Sequence, residues 1–293
     1  MCLRKNGNNP LNSVMNSHPD PLTSEFDESS HPLLWKTALV AELSAFQCRN
    51  SQVALIIPIW NEGKNIVHQL ERIRDAAVNI DIILCDTRST DGSTSKQRLR
   101  GLGVRTLLVT DQIGLGTALR LGIGYALDEG YEGVITMDGN GKDGVHSIPQ
   151  FQLQLANGYD FIQGSRFIAG GENRHTPLDR YLGIRLFIVP LIRIATGYPY
   201  TDVTNGFKGM SSKFLRDSRV QPLRPIFQHF NLQFFLNYIA PRLEFKVLEI
   251  PVSRNYPTKG PTPTKIIGVK RKLLLVRQLF ETIIGWYNCR ETS

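Results

Sequence analysis

Short apolar runs that stop abruptly at polar residues recur along the first half of the chain. Val53 to Ile59 (Val-Ala-Leu-Ile-Ile-Pro-Ile) is apolar throughout, as a strand buried on both faces requires, and it ends at the polar turn Asn61-Glu62-Gly63-Lys64-Asn65. Ile66 to Ala76 then continues at helical spacing. Asp81 to Cys85 is a second run, closed by Asp86-Thr87-Arg88-Ser89-Thr90-Asp91-Gly92-Ser93. Val104 to Val109 is a third, followed by Gly114 and a helix to about Leu127. The fourth, Val134 to Met137, ends at Asp138-Gly139-Asn140-Gly141-Lys142-Asp143, and Asp160 to Gln163 forms a fifth after a helix from Ile148 to Ala156. Strands alternating with helices in this rhythm predict an α/β fold built on a mostly parallel, doubly wound sheet flanked by helices.

The flanking segments read differently. Residues 1–31 are rich in Asn, Ser, Pro and Asp and are expected to form a disordered tail, while Leu34, Trp35, Leu39, Val40, Leu43 and Phe46 predict a docking helix from Pro32 to Phe46. The main domain is expected to span residues 32–267. Leu182 to Thr196 is the longest apolar stretch, but Arg185, Pro190 and Arg193 interrupt it, so it predicts a buried or surface-lying helix rather than a membrane span. Residues 268–293 form a separate C-terminal element, with Leu273, Val276, Phe280, Ile283 and Tyr287 as the apolar stripe of a helix that starts with Lys270-Arg271-Lys272. Such a helix packs on the domain or lies on an anionic membrane.

Charge narrows the partners. A formal net charge of +8 and a pI near 9.4 favour an anionic partner, such as a nucleotide diphosphate, a lipid phosphate or a membrane surface. Nucleic acid is disfavoured, because basic and aromatic residues are not interleaved as in single-strand binders. Cys2, Cys48, Cys85 and Cys289 have neither pairing nor metal-ligand spacing, and no signal segment opens the chain, which together predict a cytoplasmic protein, peripheral at most on the membrane's cytoplasmic face.

Parallel strands share a direction, so the loops after Ile59, Cys85 and Met137 are expected to open on one edge of the sheet, where ligands of open α/β sheets bind. Asp138 and Asn140 then offer two oxygen donors for Mg²⁺ or Mn²⁺ shared with a phosphate, although the same pattern also describes an Asx-type turn. Asp86 can accept hydrogen bonds from a base or ribose, and Asn61 and Glu62 can line the same pocket; Asp91 and Ser93 are better explained as turn and cap residues. The Gly114-x-Gly116 pair is a poor dinucleotide fingerprint, with Leu119 where a third glycine belongs. Arg254, Lys259 and Lys265 lie in a Pro/Gly-rich loop that either closes over an anion or is simply solvated.

In order along the chain, these motifs resemble family 2 glycosyltransferases of the GT-A fold, in particular the branch of dolichyl-phosphate mannosyltransferase and related polyprenyl-phosphate sugar transferases. Ile-Ile-Pro-Ile-Trp-Asn-Glu matches that family's opening at Pro58, Asn61 and Glu62. Asp-Thr-Arg-Ser-Thr-Asp-Gly-Ser resembles its Asp-Asp-Gly-Ser-Thr-Asp-Gly pattern, and Met-Asp-Gly-Asn-Gly stands in place of its metal-binding Asp-x-Asp. Gly-Ser-Arg-Phe, Asp-Val-Thr-Asn-Gly-Phe and a late Thr-Lys fall where it has Gly-Ser-Arg, Asp-x-Thr-Ser-Gly-Phe and a phosphate-binding Ser-Lys. Three positions depart: Thr87 and Asn140 replace acids, and Asn231 stands where relatives often carry one.

The resemblance implies a metal-dependent, inverting hexosyltransferase acting in cell-envelope or polysaccharide biosynthesis. It would move sugar from a nucleotide-diphosphate sugar, held by Pro58, Asn61, Glu62, Asp86 and Asp138, to a polyprenyl phosphate or a glycan. Arg166, Arg254 and Lys265 would position an acceptor phosphate, with Lys142 or Asp143 assisting at the metal; Asp202 would be the leading general base for a sugar hydroxyl. A non-catalytic nucleotide-sugar-binding protein on the same fold is the competing reading, which the acids lost at positions 87 and 140 would suit.

Overall fold

The computed structural model describes Leu39 and residues 42–258 and 268–289. The expected tail over residues 1–31, together with Lys259 and Lys265, lies outside the described residues.

The apolar runs form strands as their burial requires: β2 (Val53–Ile59), β3 (Asp81–Asp86), β4 (Val104–Val109), β5 (Gly133–Thr136) and β6 (Phe161–Ser165), preceded by the short, partly exposed strand β1 (Glu42–Ala45). Three further strands escape the hydrophobic pattern and one is a short apolar-rich segment: β7 (Glu172–Arg174), β8 (Lys208–Ser211), β10 (Ser253–Asn255) and β9 (Val247–Pro251). Eight of them make one sheet in the order β1-β4-β3-β2-β5-β8-β6-β9. β4, β3, β2 and β5 run parallel, and β6 pairs parallel with β9. β8 is inserted antiparallel between β5 and β6, and β1 closes the other edge antiparallel to β4.

Alternate residues of β2 enter opposite layers, Ala54 and Ile56 on one face and Leu55, Ile57 and Ile59 on the other. Helices cover both. On the second face lie α1 (Lys64–Asp75), α2 (Lys96–Gly101) and α4 (Ile148–Ala156), through Ile66, Leu70, Leu99 and Phe151. On the first lies α3 (Leu115–Asp128), buried along nearly its whole length. It is joined there by the segment α5 (Leu178–Leu182), a π-helical turn (Gly183–Ile188) and α6 (Val189–Thr196), by α8 (Asn231–Arg242) and by α9 (Val269–Ile283). The short α7 (Ser212–Arg216) follows β8, its N-terminus capped by the Ser211 hydroxyl accepting from Phe214 N.

The expected docking helix over Pro32–Phe46 is corrected where it is described, because Glu42–Ala45 is strand β1. Leu43 and Phe46 are three residues apart, which puts them on one side of a helix but on opposite faces of a strand. Leu43 packs into one core layer and Phe46 into the other, so the backbone pairs with β4 instead. Gly116 reflects close packing rather than a phosphate cradle. A Cβ there would lie 2.7 Å from the Phe227 carbonyl, and its N–H already donates to Gln228 O at 3.0 Å.

Candidate active site

The register places Ile59, Asp86 and Thr136 at one sheet edge, since Asp86 pairs with Ile59 and Thr136 with Ile56. β8 enters at that same edge, because Lys208 pairs with Thr136 and Gln163. The residues expected from sequence meet here in three groups.

The first is built by the loops after β2 and β3. Asn61 adopts φ of 50°, a left-handed conformation that asparagine tolerates, and its amide oxygen accepts from Thr90 N at 2.7 Å. Asp86 accepts from Ser89 N and Oγ at 2.9 and 2.7 Å, while burial pushes its carboxyl up against those bonds. Asp91 receives Gly63 N at 2.7 Å and Ser93 N at 3.0 Å, the turn role expected of it. Pro58 is buried within β2 and Glu62 is half-buried at the turn.

The second group gathers around Arg254, carried on β10, which pairs with β7 beside the main sheet. Its two terminal nitrogens bridge two carboxylates: Nη2 donates to Asp138 Oδ2 at 2.7 Å and Nη1 to Asp143 Oδ1 at 2.6 Å. Asn140 Nδ2 donates to the same Asp138 oxygen at 3.2 Å. The other one, Oδ1, faces Gly206, where an added Cβ would stand only 2.5 Å away. Burial alone would raise the Asp138 carboxyl, but Arg254 and Lys142 outweigh it and hold it below the usual range. Asp143, wholly buried, is pushed up by burial despite Arg254. Burial and then the like charge of Arg254 bring Lys142 down to about 8.

The third group is Arg166 at the end of β6 with Asp202. Arg166 Nε and Nη2 donate to the two carboxylate oxygens at 2.6 and 2.9 Å, and Nη2 also reaches Thr204 Oγ1 at 2.9 Å. Thr204 N and Oγ1 donate to Asp202 Oδ1, both at 3.1 Å. Burial opposes ionisation of Asp202, yet Arg166 lowers its carboxyl overall. Both oxygens of Asp202 accept hydrogen bonds inside the protein, whereas a general base needs an oxygen turned toward the substrate.

Tyr256, which the sequence reading gave no role, joins the second and third groups. Burial would raise its hydroxyl, but Arg254, Arg180 and Arg166 prevail and bring it to about 8; Arg180 donates to it at 3.1 Å. The available signal was the alternation Arg254-Asn255-Tyr256, which puts both side chains on one face of a strand. Beneath the edge lies a second unexpected cluster. Lys208 is buried and donates to Asn237 Oδ1 at 2.8 Å and to Gln163 Oε1, and burial pulls its ammonium down to about 7.

The donors suit a small hard cation only in part of its shell. Asp138 and Asn140 supply one carboxylate and one amide oxygen, which fits Mg²⁺ or Mn²⁺ when phosphate and water complete the coordination. Among the described residues there is no group of three or more His, Cys, Asp or Glu that could hold a metal by itself.

The chain is similar to several known proteins. An undecaprenyl-phosphate mannosyltransferase of Micrococcus luteus is 27% identical over 206 residues, covering 69% of this chain and 83% of the relative. A polyprenol monophosphomannose synthase of Mycolicibacterium smegmatis is 25% identical over 203 residues, covering 68% and 76%. Among solved structures, glucosyl-3-phosphoglycerate synthase from Mycobacterium tuberculosis, in complex with Mn²⁺, UDP and phosphoglyceric acid, superposes with a TM-score of 0.57. That likeness covers 82% of this chain and 80% of the other at 14% identity, and it shows the shared GT-A fold. The description "Glycosyl transferase family 2" matches residues 54–219, more than half of the chain and all three groups of the site except Arg254 and Tyr256, and the chain therefore belongs to this family of glycosyltransferases.

Proposed function

We propose that the protein transfers a sugar from a nucleotide-diphosphate sugar to the phosphate of a polyprenyl phosphate, with inversion at the anomeric carbon. The observation that carries this reading is the pair of carboxylate-held guanidinium groups, Arg166 and Arg254, beside the strand-end carboxylate Asp138. A guanidinium is suited to phosphate recognition, and fixing it beforehand lowers the entropy lost when the anion docks. The names of the two sequence relatives support a polyprenyl-phosphate acceptor and make mannose the first sugar to test.

In this reading Pro58, Asn61, Glu62 and Asp86 hold the nucleoside side of the donor, and the loop from Asp138 to Asp143 holds its diphosphate. A divalent cation at Asp138 and Asn140, when bound, would offset charge on the departing diphosphate. Lys142 and Arg254 place positive charge at the same point. The acceptor phosphate is already an anion, so one of its oxygens can displace the nucleoside diphosphate from the anomeric carbon without a strong base. That requirement matters, because the carboxylate of Asp202 is committed to Arg166. A phosphate acceptor fits this site better than a sugar hydroxyl.

Transfer assays with a panel of GDP-, UDP-, CMP- and dTDP-sugars and a polyprenyl phosphate test the proposal, with Mn²⁺ titrated for parent, Asp138→Ala and Asn140→Asp. Asp138→Ala is expected to abolish transfer, while Asn140→Asp retains it and lowers the Mn²⁺ concentration required. Full activity in Asp138→Ala would remove this site from the mechanism.

A further inference from the structure

The loop after β3 holds a conformation that its sequence does not favour. Arg88 adopts φ of 58°, in the left-handed region that crowds any residue with a Cβ. The family pattern Asp-Asp-Gly-Ser-Thr-Asp-Gly has glycine at this position, where the same φ would be free of strain. Bonds on both flanks enforce the turn: Asp86 accepts from Ser89 N and Oγ at 2.9 and 2.7 Å, and Asn61 Oδ1 accepts from Thr90 N at 2.7 Å. Packing does not offset the strain. The Arg88 side chain is 63% exposed and forms an ion pair, Nε to Asp111 Oδ1 at 2.6 Å, with an Asp111 side chain that is 71% exposed. A pair so exposed adds little to stability. Strain retained at a ligand-binding edge, with no return in packing, points to a functional position.

The place of the pair along the sheet decides what it can meet. Neighbouring strands run β5, β2, β3, β4 in parallel, and their carboxyl ends lead to Asp138, the Asn61 turn, Asp86 and Asp111 in that order. Thr110 N donates to Asp86 O at 2.9 Å, so the loop carrying Asp111 lies directly beside Asp86. From the Asp138 loop to the Asp111 loop the edge crosses three strand spacings, roughly 14 Å. A nucleoside diphosphate laid along it, with its diphosphate at Asp138 and its ribose near Asp86, brings its base to Arg88 and Asp111. The chemistry there suits the edge of a base. A guanidinium donates to ring nitrogens and carbonyl oxygens, and a carboxylate accepts from ring N–H and amino groups. Ile113, 58% exposed on the same loop as Asp111, adds an apolar surface for the flat face of the ring.

We infer that Arg88 and Asp111 form a pair that reads the hydrogen-bonding edge of the donor's nucleobase, and that this arginine, standing in place of a glycine, sets the nucleotide selectivity of this chain. The inference rests on the reading of a nucleotide-diphosphate-sugar donor. Acceptors and donors are spaced differently on each base, so a fixed guanidinium–carboxylate pair favours one base over the others.

The test is calorimetry on the full chain with Mn²⁺ present, using GDP, UDP, CDP and dTDP as probes and inorganic pyrophosphate as a probe without a base. Parent protein is expected to prefer one of the four nucleotides. Arg88→Gly should lower affinity for that nucleotide roughly tenfold, the loss of one good base contact, and bring the four affinities close together. Its affinity for pyrophosphate and its melting temperature should not fall, because glycine relieves the left-handed strain. Asp111→Asn keeps the shape of the side chain and should lose part of the same selectivity. A parent without selectivity, or an Arg88→Gly protein that keeps it, would overturn the inference while leaving the nucleotide site in place. Loss of pyrophosphate binding together with a lower melting temperature in Arg88→Gly would overturn it too, since the arginine would then only hold the loop. If none of the four nucleotides binds the parent, the donor reading fails and this inference falls with it.

Discussion

Replacing Asp202 with asparagine separates two roles for the same carboxylate. The side chain keeps its shape, but one of its oxygens becomes an NH₂ group facing either Arg166 Nε, now 2.6 Å from oxygen, or the Arg166 Nη2 and Thr204 donors on the other side. Whichever way the amide turns, a donor meets a donor and a buried guanidinium loses its counter-charge. Breaking a buried pair by removing one partner costs about 3–5 kcal/mol. In a domain of this size each kcal/mol lowers the melting temperature by about 2–4 °C, so a fall of roughly 6–20 °C is expected. Thr204→Val is the graded companion: it deletes the hydroxyl that bonds both Arg166 and Asp202, and should cost about 1 kcal/mol. With Arg166 no longer held, the acceptor KM should rise by at least about tenfold while the donor KM stays put, as for a loss of uniform acceptor binding. Thermal unfolding and steady-state kinetics with varied acceptor measure both. An Asp202→Asn protein that melts like the parent, but whose pH–rate profile has lost its acidic limb, would refute this account and restore Asp202 as a base.

Two further expectations concern binding and pH. Asp86→Ala should weaken binding of the bare nucleoside diphosphate in calorimetry, and Ser89→Ala, which removes only one of the bonds held by Asp86, should weaken it less; equal affinity in all three proteins would make Asp86 a turn residue alone. Lys208, with a folded pKa of about 7 against about 10.4 in an unfolded chain, binds fewer protons when folded, so its penalty on stability is full below pH 7 and fades as pH rises toward 10. The melting temperature of Lys208→Met relative to the parent should therefore fall between pH 7 and 10, and a difference independent of pH would show that the ammonium is not destabilised by burial.

The strands β2 to β6 were legible because both faces of each are buried, which forces an apolar run long enough to see. β8 was not. Its sequence, Lys-Gly-Met-Ser, opens with a lysine that is buried only because Gln163 and Asn237 satisfy it, and those partners are 45 and 29 residues away. Glu249 hides β9 in the same way, its carboxylate accepting from Thr201 N and Asp202 N at 2.8 and 3.0 Å. The site shows the same limit. Asp86, Asp138, Arg166, Asp202 and Arg254 could each be picked from local motifs. That Arg254 would bridge Asp138 and Asp143 could not, because 116 and 111 residues separate the partners and only the pairing of β10 with β7 brings them together.

On the proposed reading, the charges at the site suit an asparagine at position 140. Counted formally, Lys142, Arg166 and Arg254 are balanced by Asp138, Asp143 and Asp202, so these six groups cancel without a cation. An aspartate at position 140 would leave the cluster negative and hostile to a diphosphate until a divalent ion bound. On the proposed reading, with asparagine the guanidinium and ammonium groups would meet an incoming phosphate, each arginine being fixed by its carboxylate partners. Fixing comes at the expense of net attraction, so on this reading the basic surface elsewhere, within a chain of net charge +8, would draw anionic substrates toward the edge of the sheet.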